Sequence, residues 1–108
     1  MGMMGEKRWR YLIVWEFRPR RGSETRFERA YGSEGVWANL FQQAEGFLST
    51  QLIRDEKDKH RFLTMDSWAS KQAYEAFRAV HQSEYERLDA ECEELTESGK
   101  EIGTFERV

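Results

Sequence analysis

The segment Tyr11-Leu12-Ile13-Val14-Trp15-Glu16-Phe17 constrains this chain more than any other. It is short, β-branched and aromatic, so it reads as a strand, and Pro19 closes it because a proline ring donates nothing to a ladder. Alternation sends Tyr11, Ile13, Trp15 and Phe17 to one face and Leu12, Val14 and Glu16 to the other. Both faces are mostly apolar, so both sides of the sheet that holds this strand need cover.

The rest of the chain supplies cover for one side. Gly22-Ser23 opens a helix, with Ser23 as the N-cap and Phe27, Ala30 and Tyr31 on one face. Gly32-Ser33-Glu34-Gly35 interrupts it, and a second helical piece presents Val36, Trp37, Leu40, Phe41 and Ala44. Gly46 ends that piece where a left-handed C-cap costs least. Phe47 to Ile53 is the second strand, with Phe47, Ser49, Gln51 and Ile53 facing away from Leu48, Thr50 and Leu52. A charged turn, Asp55 to His60, leads into the third strand, Arg61 to Trp68, so these two strands form a hairpin. Ser70 caps a helix whose buried stripe is Ala73, Tyr74, Phe77 and Val80. Ser83-Glu84-Tyr85-Glu86 is a capping box at which the helix restarts, and Tyr85, Leu88, Cys92 and Leu95 prolong the stripe. Ser98-Gly99 stops it, and Ile102 to Val108 is a short last strand.

The order β-α-β-β-α-β predicts a ferredoxin-like α+β fold: a four-stranded antiparallel sheet with its helices on one face. Residues 1–10 are expected to be an N-terminal tail, and 11–108 a single domain. No element remains for the open sheet face. The expected cover is a second copy of the chain, a homodimer packed sheet against sheet.

Composition excludes several classes. Of the 108 residues, 14% are aromatic and 34% charged, which argues against disorder. The net charge of -3 argues against nucleic-acid binding, although Arg18, Arg20 and Arg21 cluster locally. No apolar run reaches membrane-helix length, so no membrane partner is expected. Met1 to Arg10 lacks a signal peptide's apolar core, and Glu6 stands where a myristoylation signal beginning Met1-Gly2 needs Ser or Thr. Cys92 stands alone, which removes cysteine-rich zinc sites and points to a reducing, cytoplasmic setting.

Several motifs together resemble the antibiotic biosynthesis monooxygenase family: Tyr11 to Pro19 with Gly22-Ser23-Glu24, then Gly46-Phe47-Leu48, then Arg61 to Trp68 with Ser70 and Ala73-Tyr74. The resemblance runs from about Tyr11 to Phe105. It implies a dimeric α+β barrel with a pocket between sheet and helices. Quinol-forming members oxidise aromatic phenols with molecular oxygen and without metal or flavin, and line the pocket with Asn, Trp, Tyr and Arg. On this sequence the Trp matches Trp68, the Tyr matches Tyr74, the Asn falls on Thr64 and the Arg falls near Arg87. A haem-degrading branch uses an Asn, a Trp and a His that fall here on Phe17, Phe77 and Asp89, and all three are replaced. The resemblance thus implies a cofactor-independent monooxygenase acting on a small aromatic or quinone-type substrate, with no metal, flavin or haem. A non-catalytic binder of a planar metabolite, or an isomerase on the same fold, are the alternatives.

The candidate catalytic residues are His81, Asp66 and Tyr74. His81 sits at a helix break with a side chain suited to proton transfer near neutral pH, or simply compensates a helix dipole. Asp66 is a carboxylate on a face with Phe62, Thr64 and Trp68, where burial would raise its pKa and make it a base. The candidate ligand-binding residues are Trp68, Phe77, Thr64, Tyr31, Trp37, Asn39, Tyr85 and Arg87. Trp68 and Phe77 with Tyr74 are expected to form a flat slot for an aromatic small molecule. Tyr31, Trp37 and Asn39 lie at the broken first helix, where a pocket mouth often opens.

Overall fold

A computed structural model describes residues 8–108; the tail residues Met1–Lys7 and the processing signals sought there lie outside it. Strand β1 is Tyr11–Pro19, helix α1 Glu24–Tyr31, α2 Val36–Phe41, β2 Phe47–Arg54, β3 Phe62–Trp68, α3 Lys71–Val80, α4 Gln82–Cys92 and β4 Thr96–Glu106. The four strands form one antiparallel sheet in the order β2-β3-β1-β4, the ferredoxin-like topology. No helix among the described residues is long and apolar enough to cross a membrane.

The helices cover one face of the sheet. Tyr11 and Ile13 of β1, Phe62 and Trp68 of β3, Phe27 and Tyr31 of α1, Trp37, Leu40 and Phe41 of α2 and Phe77 of α3 are buried together. The opposite face carries Leu12 and Val14, paired with Ser67 and Met65 of β3 and with Phe105 and Gly103 of β4. Phe105 and Ile53 remain exposed in the single chain. Across that face Arg61 bridges Glu16 at 3.0 Å and Asp55 at 3.1 Å.

The structure departs from the sequence expectations where neighbours outweigh local pattern. A bulge between Phe47 and Ser49 turns Phe47 to the same face as Thr50 and Leu52, where it packs on Trp68 with ring centroids 5.3 Å apart. Strand β4 begins at Thr96 rather than Ile102 and runs through Ser98-Gly99, because β1 pairs with it as far as Pro19, across a register shift between Arg18 and Pro19. Val36 and Val80 point outward instead of joining the buried stripes. Gly46 does not adopt the left-handed conformation; its role is space, since a Cβ there would collide with the Ala73 Cβ.

Capping is likewise mixed. Ser70 caps α3, its Oγ accepting from the Ala73 N–H at 3.0 Å. Ser23 makes no side-chain cap, and the chain turns instead through Gly22 at φ +89°. The Ser83 box does not form, because α4 starts at Gln82 directly after His81, the residue that also ends α3. At the tail end, Trp9 and Arg10 are tied down: Arg107 Nε donates to the Trp9 carbonyl at 2.7 Å, and the Arg10 N–H donates to the Trp68 carbonyl at 3.0 Å.

Candidate active site

Large rings that pack edge to edge rarely close completely, and here they leave a cavity of about 60 Å³ between the sheet and the helices. Its sheet side is made by Trp15 and Phe17 of β1, Thr50 of β2, and Thr64 and Asp66 of β3. Its helix side is made by Tyr31, Trp37, Phe41, Tyr85 and Asp89. The rings form a continuous collar. Trp15 and Phe17 stack at 5.8 Å, Phe17 meets Tyr31 at 4.7 Å, Tyr31 meets Trp37 at 6.2 Å, and Trp37 meets Tyr85 edge-on at 5.1 Å. A space of this volume holds a few waters, so an aromatic guest must spread the collar.

Register explains why the void lies here. Thr50 pairs with Asp66, Ile13 pairs with Asp66 on its other side, and Trp15 pairs with Thr64. Three short polar side chains thus sit next to one another on a sheet face otherwise filled by large rings. Asp66 is only 9% exposed. Thr50 Oγ1 donates to Asp66 Oδ1 at 2.8 Å, and the second carboxylate oxygen has no hydrogen-bond partner among the described residues. Burial pushes the Asp66 carboxyl up to about 6, against the lowering effect of the Thr50 bond. The group is therefore ionised at neutral pH yet able to hold a proton near pH 6.

The two phenols of the collar are kept protonated. Burial raises both Tyr31 and Tyr85, with the negative charge of Asp89 adding to each and that of Asp66 adding to Tyr85. Arg78 opposes this at Tyr85: its guanidinium lies 3.8 Å from the Tyr85 ring centroid, and Nη1 donates to the Tyr74 hydroxyl at 2.9 Å. Arg78 itself does not line the cavity.

The structure brings together Asp66, Thr64, Tyr31, Trp37 and Tyr85 from the expected site residues, and leaves the others elsewhere. Trp68, Tyr74 and Phe77 do converge, with centroids 5.2, 5.4 and 6.5 Å apart, but the slot expected between them is closed. Trp68 is 0% exposed, boxed in also by Phe41 and Phe47, so these rings fill core and leave no room for a guest. His81 stacks on Phe77 at 5.2 Å and pairs through Nδ1 with Glu84 at 2.5 Å, away from the cavity. Asn39 and Arg87 lie together on a shallow outer groove between α2 and α4. Of the haem-branch positions, Phe17 and Asp89 reach the cavity and Phe77 does not. Among the described residues no His, Cys or Met lines the wall; of the usual axial ligands of haem only the phenols of Tyr31 and Tyr85 are there, and burial holds both in the protonated form. Among the described residues no group of three or more His, Cys, Asp or Glu could hold a metal.

Trp15, Phe41 and Thr50 were not singled out by sequence. The alternation of β1 carries the signal for Trp15, since it shares the Ile13 face. Thr50 was signalled by its place between Leu48 and Leu52 as a polar break in an apolar strand face.

Phe17 borders the cavity with its ring held against Gly99, where a Cβ would lie 2.8 Å from Phe17 Cε1. Gly99→Ala is therefore expected to drive the Phe17 ring into the void. The expected readout is loss of aromatic-ligand quenching of tryptophan fluorescence, with a stability cost of about 1–3 kcal/mol from overpacking. Unchanged ligand binding in Gly99→Ala would show that Phe17 does not limit the cavity.

A one-layer ferredoxin-like sheet with an aromatic, acid-floored cavity under its helices defines a small pocketed α+β protein. The chain belongs to the antibiotic biosynthesis monooxygenase family, whose model matches residues 10–85. No curated protein matches the sequence. Among solved structures it is similar to SnoaB, a cofactor-independent oxygenase from Streptomyces nogalater, at 18% identity and TM-score 0.66 over 94% of this chain and 95% of that one. It is similar to PA3566 from Pseudomonas aeruginosa at 19% identity and TM-score 0.65, over 96% and 99%. It is also similar to a monooxygenase from the gene ActVA-Orf6 of Streptomyces coelicolor in complex with nanaomycin D, at 17% identity and TM-score 0.64, over 93% and 88%. At these identities the likeness establishes the fold.

Proposed function

We propose that this protein is a cofactor-independent monooxygenase for a small hydroxylated aromatic substrate, with Asp66 as its proton acceptor. The carrying observation is the Asp66 carboxylate: buried, facing an aromatic cavity, and with one oxygen unpartnered among the described residues. Family membership and the oxygenase and monooxygenase among its structural neighbours support the reaction class.

In this reading the substrate ring slides into the collar with its hydroxyl against Asp66. Asp66 takes the hydroxyl proton, which leaves an electron-rich phenolate. The phenolate reduces oxygen by one electron, and the two radicals combine at a ring carbon that bears hydrogen. Protonated Asp66 returns its proton to the resulting peroxide. Loss of the carbon-bound hydrogen as a proton and cleavage of the O–O bond then give a carbonyl and water. One oxygen atom enters the product, the other leaves as water, and the substrate loses two hydrogens in total. Tyr31 and Tyr85, held as phenols, donate hydrogen bonds to the developing oxygen charge. The test is oxygen uptake by purified protein with a panel of hydroxylated naphthalenes and anthracenes. Saturable uptake with a carbonyl product supports the reading; uptake no faster than without protein across the panel rejects it.

The same proposal includes a homodimer closed over the open sheet face. Met65 lies in the middle of that face, opposite Val14 and Gln51. Met65→Asp is expected to shift sedimentation equilibrium at micromolar concentration from twice the chain mass to the 12.9 kDa of one chain. A wild-type protein that sediments at 12.9 kDa at that concentration removes the dimer.

A further inference from the structure

The cavity has a charge character that an oxygenase for phenols does not require. Six aromatic rings surround it, and among the described residues its only formal charges are the carboxylates of Asp66 and Asp89. Among the described residues no Lys, Arg or His lines it. Arg78, the cation that touches the collar from outside, is engaged with the Tyr85 ring and the Tyr74 hydroxyl from α3. An aromatic face carries the negative part of the ring quadrupole, so a ring that turns its face to a guest favours the same sign of charge as a carboxylate does. An anionic guest meets repulsion from both carboxylates, against which the wall sets only neutral donors, the Tyr31 and Tyr85 hydroxyls and the unpartnered Trp37 Nε1.

Tyr31 of α1, Trp37 of α2 and Tyr85 of α4 line the helix side with Asp89, which is exposed, and the Asp89 charge acts on both phenols. Tyr31–Trp37 and Trp37–Tyr85 spacings of 6.2 and 5.1 Å make a three-walled aromatic corner with a carboxylate on its rim. We propose that this corner of Tyr31, Trp37, Tyr85 and Asp89 is a seat for an organic cation, so that the substrate carries a protonated or quaternary amine. The proposal rests on the reading of this cavity as the substrate site. It narrows that site to amine-bearing aromatics, with the ammonium toward the α4 rim and the hydroxyl toward Asp66. It also eases an electrostatic conflict: once Asp66 has taken the proton, a phenolate on a cationic substrate is a zwitterion, which the remaining Asp89 carboxylate repels far less than an anion.

The experiment compares choline with 3,3-dimethylbutan-1-ol, its neutral isostere, by titrating the tryptophan fluorescence of the full chain at fixed ionic strength. Trp15 and Trp37 line the cavity and report occupancy. Choline is expected to bind at least ~10-fold more tightly than the alcohol, the preference of desolvated rings and a carboxylate for a cation. Asp89 is exposed, so Asp89→Asn leaves the fold intact; it is expected to cut the preference to about 3-fold or less. Glu45→Gln, an exposed carboxylate outside the cavity, controls for general surface charge and should leave the preference unchanged. Equal binding of the two isosteres, or a preference that survives Asp89→Asn, overturns the cation seat while the substrate-site reading stands. Binding of neither probe overturns the seat as well. The substrate-site reading fails with it only if the hydroxylated aromatics also drive no oxygen uptake.

Discussion

Asp66→Asn is expected to lose oxygen-dependent turnover by about 100-fold or more, the usual contribution of a positioned proton acceptor, and yet to fold into a more stable protein at neutral pH. The two effects share one cause. Burial holds the Asp66 carboxyl at about 6, whereas an exposed aspartate stands at 3.8. Between those values the folded chain keeps a proton that the unfolded chain has released, so falling pH favours folding. Above pH 6 the folded protein carries the whole cost of an ionised buried carboxylate, about 3 kcal/mol from the difference between the two values. Asparagine keeps an oxygen for the Thr50 hydroxyl, 2.8 Å away, and carries no charge. The variant should melt higher than wild type at pH 7 to 8, and the two should converge below pH 4. Wild-type turnover should fall on an acid limb centred near pH 6, as the acceptor becomes protonated. An unchanged rate in Asp66→Asn, or a pH profile flat through 6, removes Asp66 as the base even if the melting shift appears.

This pairing of gain and loss is what a buried reactive group implies. Ile13, Phe62 and Trp68 surround the same sheet face, and an apolar residue at position 66 would pack there more cheaply than an acid. The Thr50 hydroxyl offsets part of the desolvation and fixes one oxygen, which leaves the other without a hydrogen-bond partner among the described residues.

The fold was readable from β1, the hairpin and Ser70, because these rest on alternation, short turns and a local cap. What escaped the sequence depends on partners distant in the chain. The bulge that brings Phe47 onto Trp68 leaves no mark in the run Phe47-Leu48-Ser49. The long β4 exists because β1 extends to Pro19 beside it. The site divided in the same way. Asp66 was legible as an acid on an apolar strand face, and Tyr31 and Trp37 as residues at a helix break. The position of the void was not legible, because it follows from Thr50, Thr64 and Asp66 becoming neighbours across two strands. The proximity of Trp68, Tyr74 and Phe77 was correctly implied by spacing. Spacing brings rings together but does not say whether space remains between them.

Trp68→Ala separates these two meanings of proximity, and it should be the most damaging single substitution in the core. The side chain is fully buried among Phe41, Phe47, Tyr74 and Phe77, with centroids 5.2 to 5.7 Å away. Removing it leaves a void that four rigid rings on three elements cannot collapse into. The expected cost is about 3–5 kcal/mol, a lowering of the melting temperature by about 15–30 °C for a domain of this size. Trp68→Phe should cost much less. The Trp68 Nε1 has no hydrogen-bond partner among the described residues, and its loss relieves a buried unsatisfied donor while a ring is retained. Below their melting transitions both variants should bind the choline probe within about 3-fold of wild type, since Trp68 does not line the cavity and meets its wall only behind Phe41. Fluorescence of Trp15 and Trp37 can be followed in either variant without the Trp68 background. A Trp68→Ala protein that melts like wild type but loses ligand binding would move the site back to the Trp68–Tyr74–Phe77 cluster and away from Asp66.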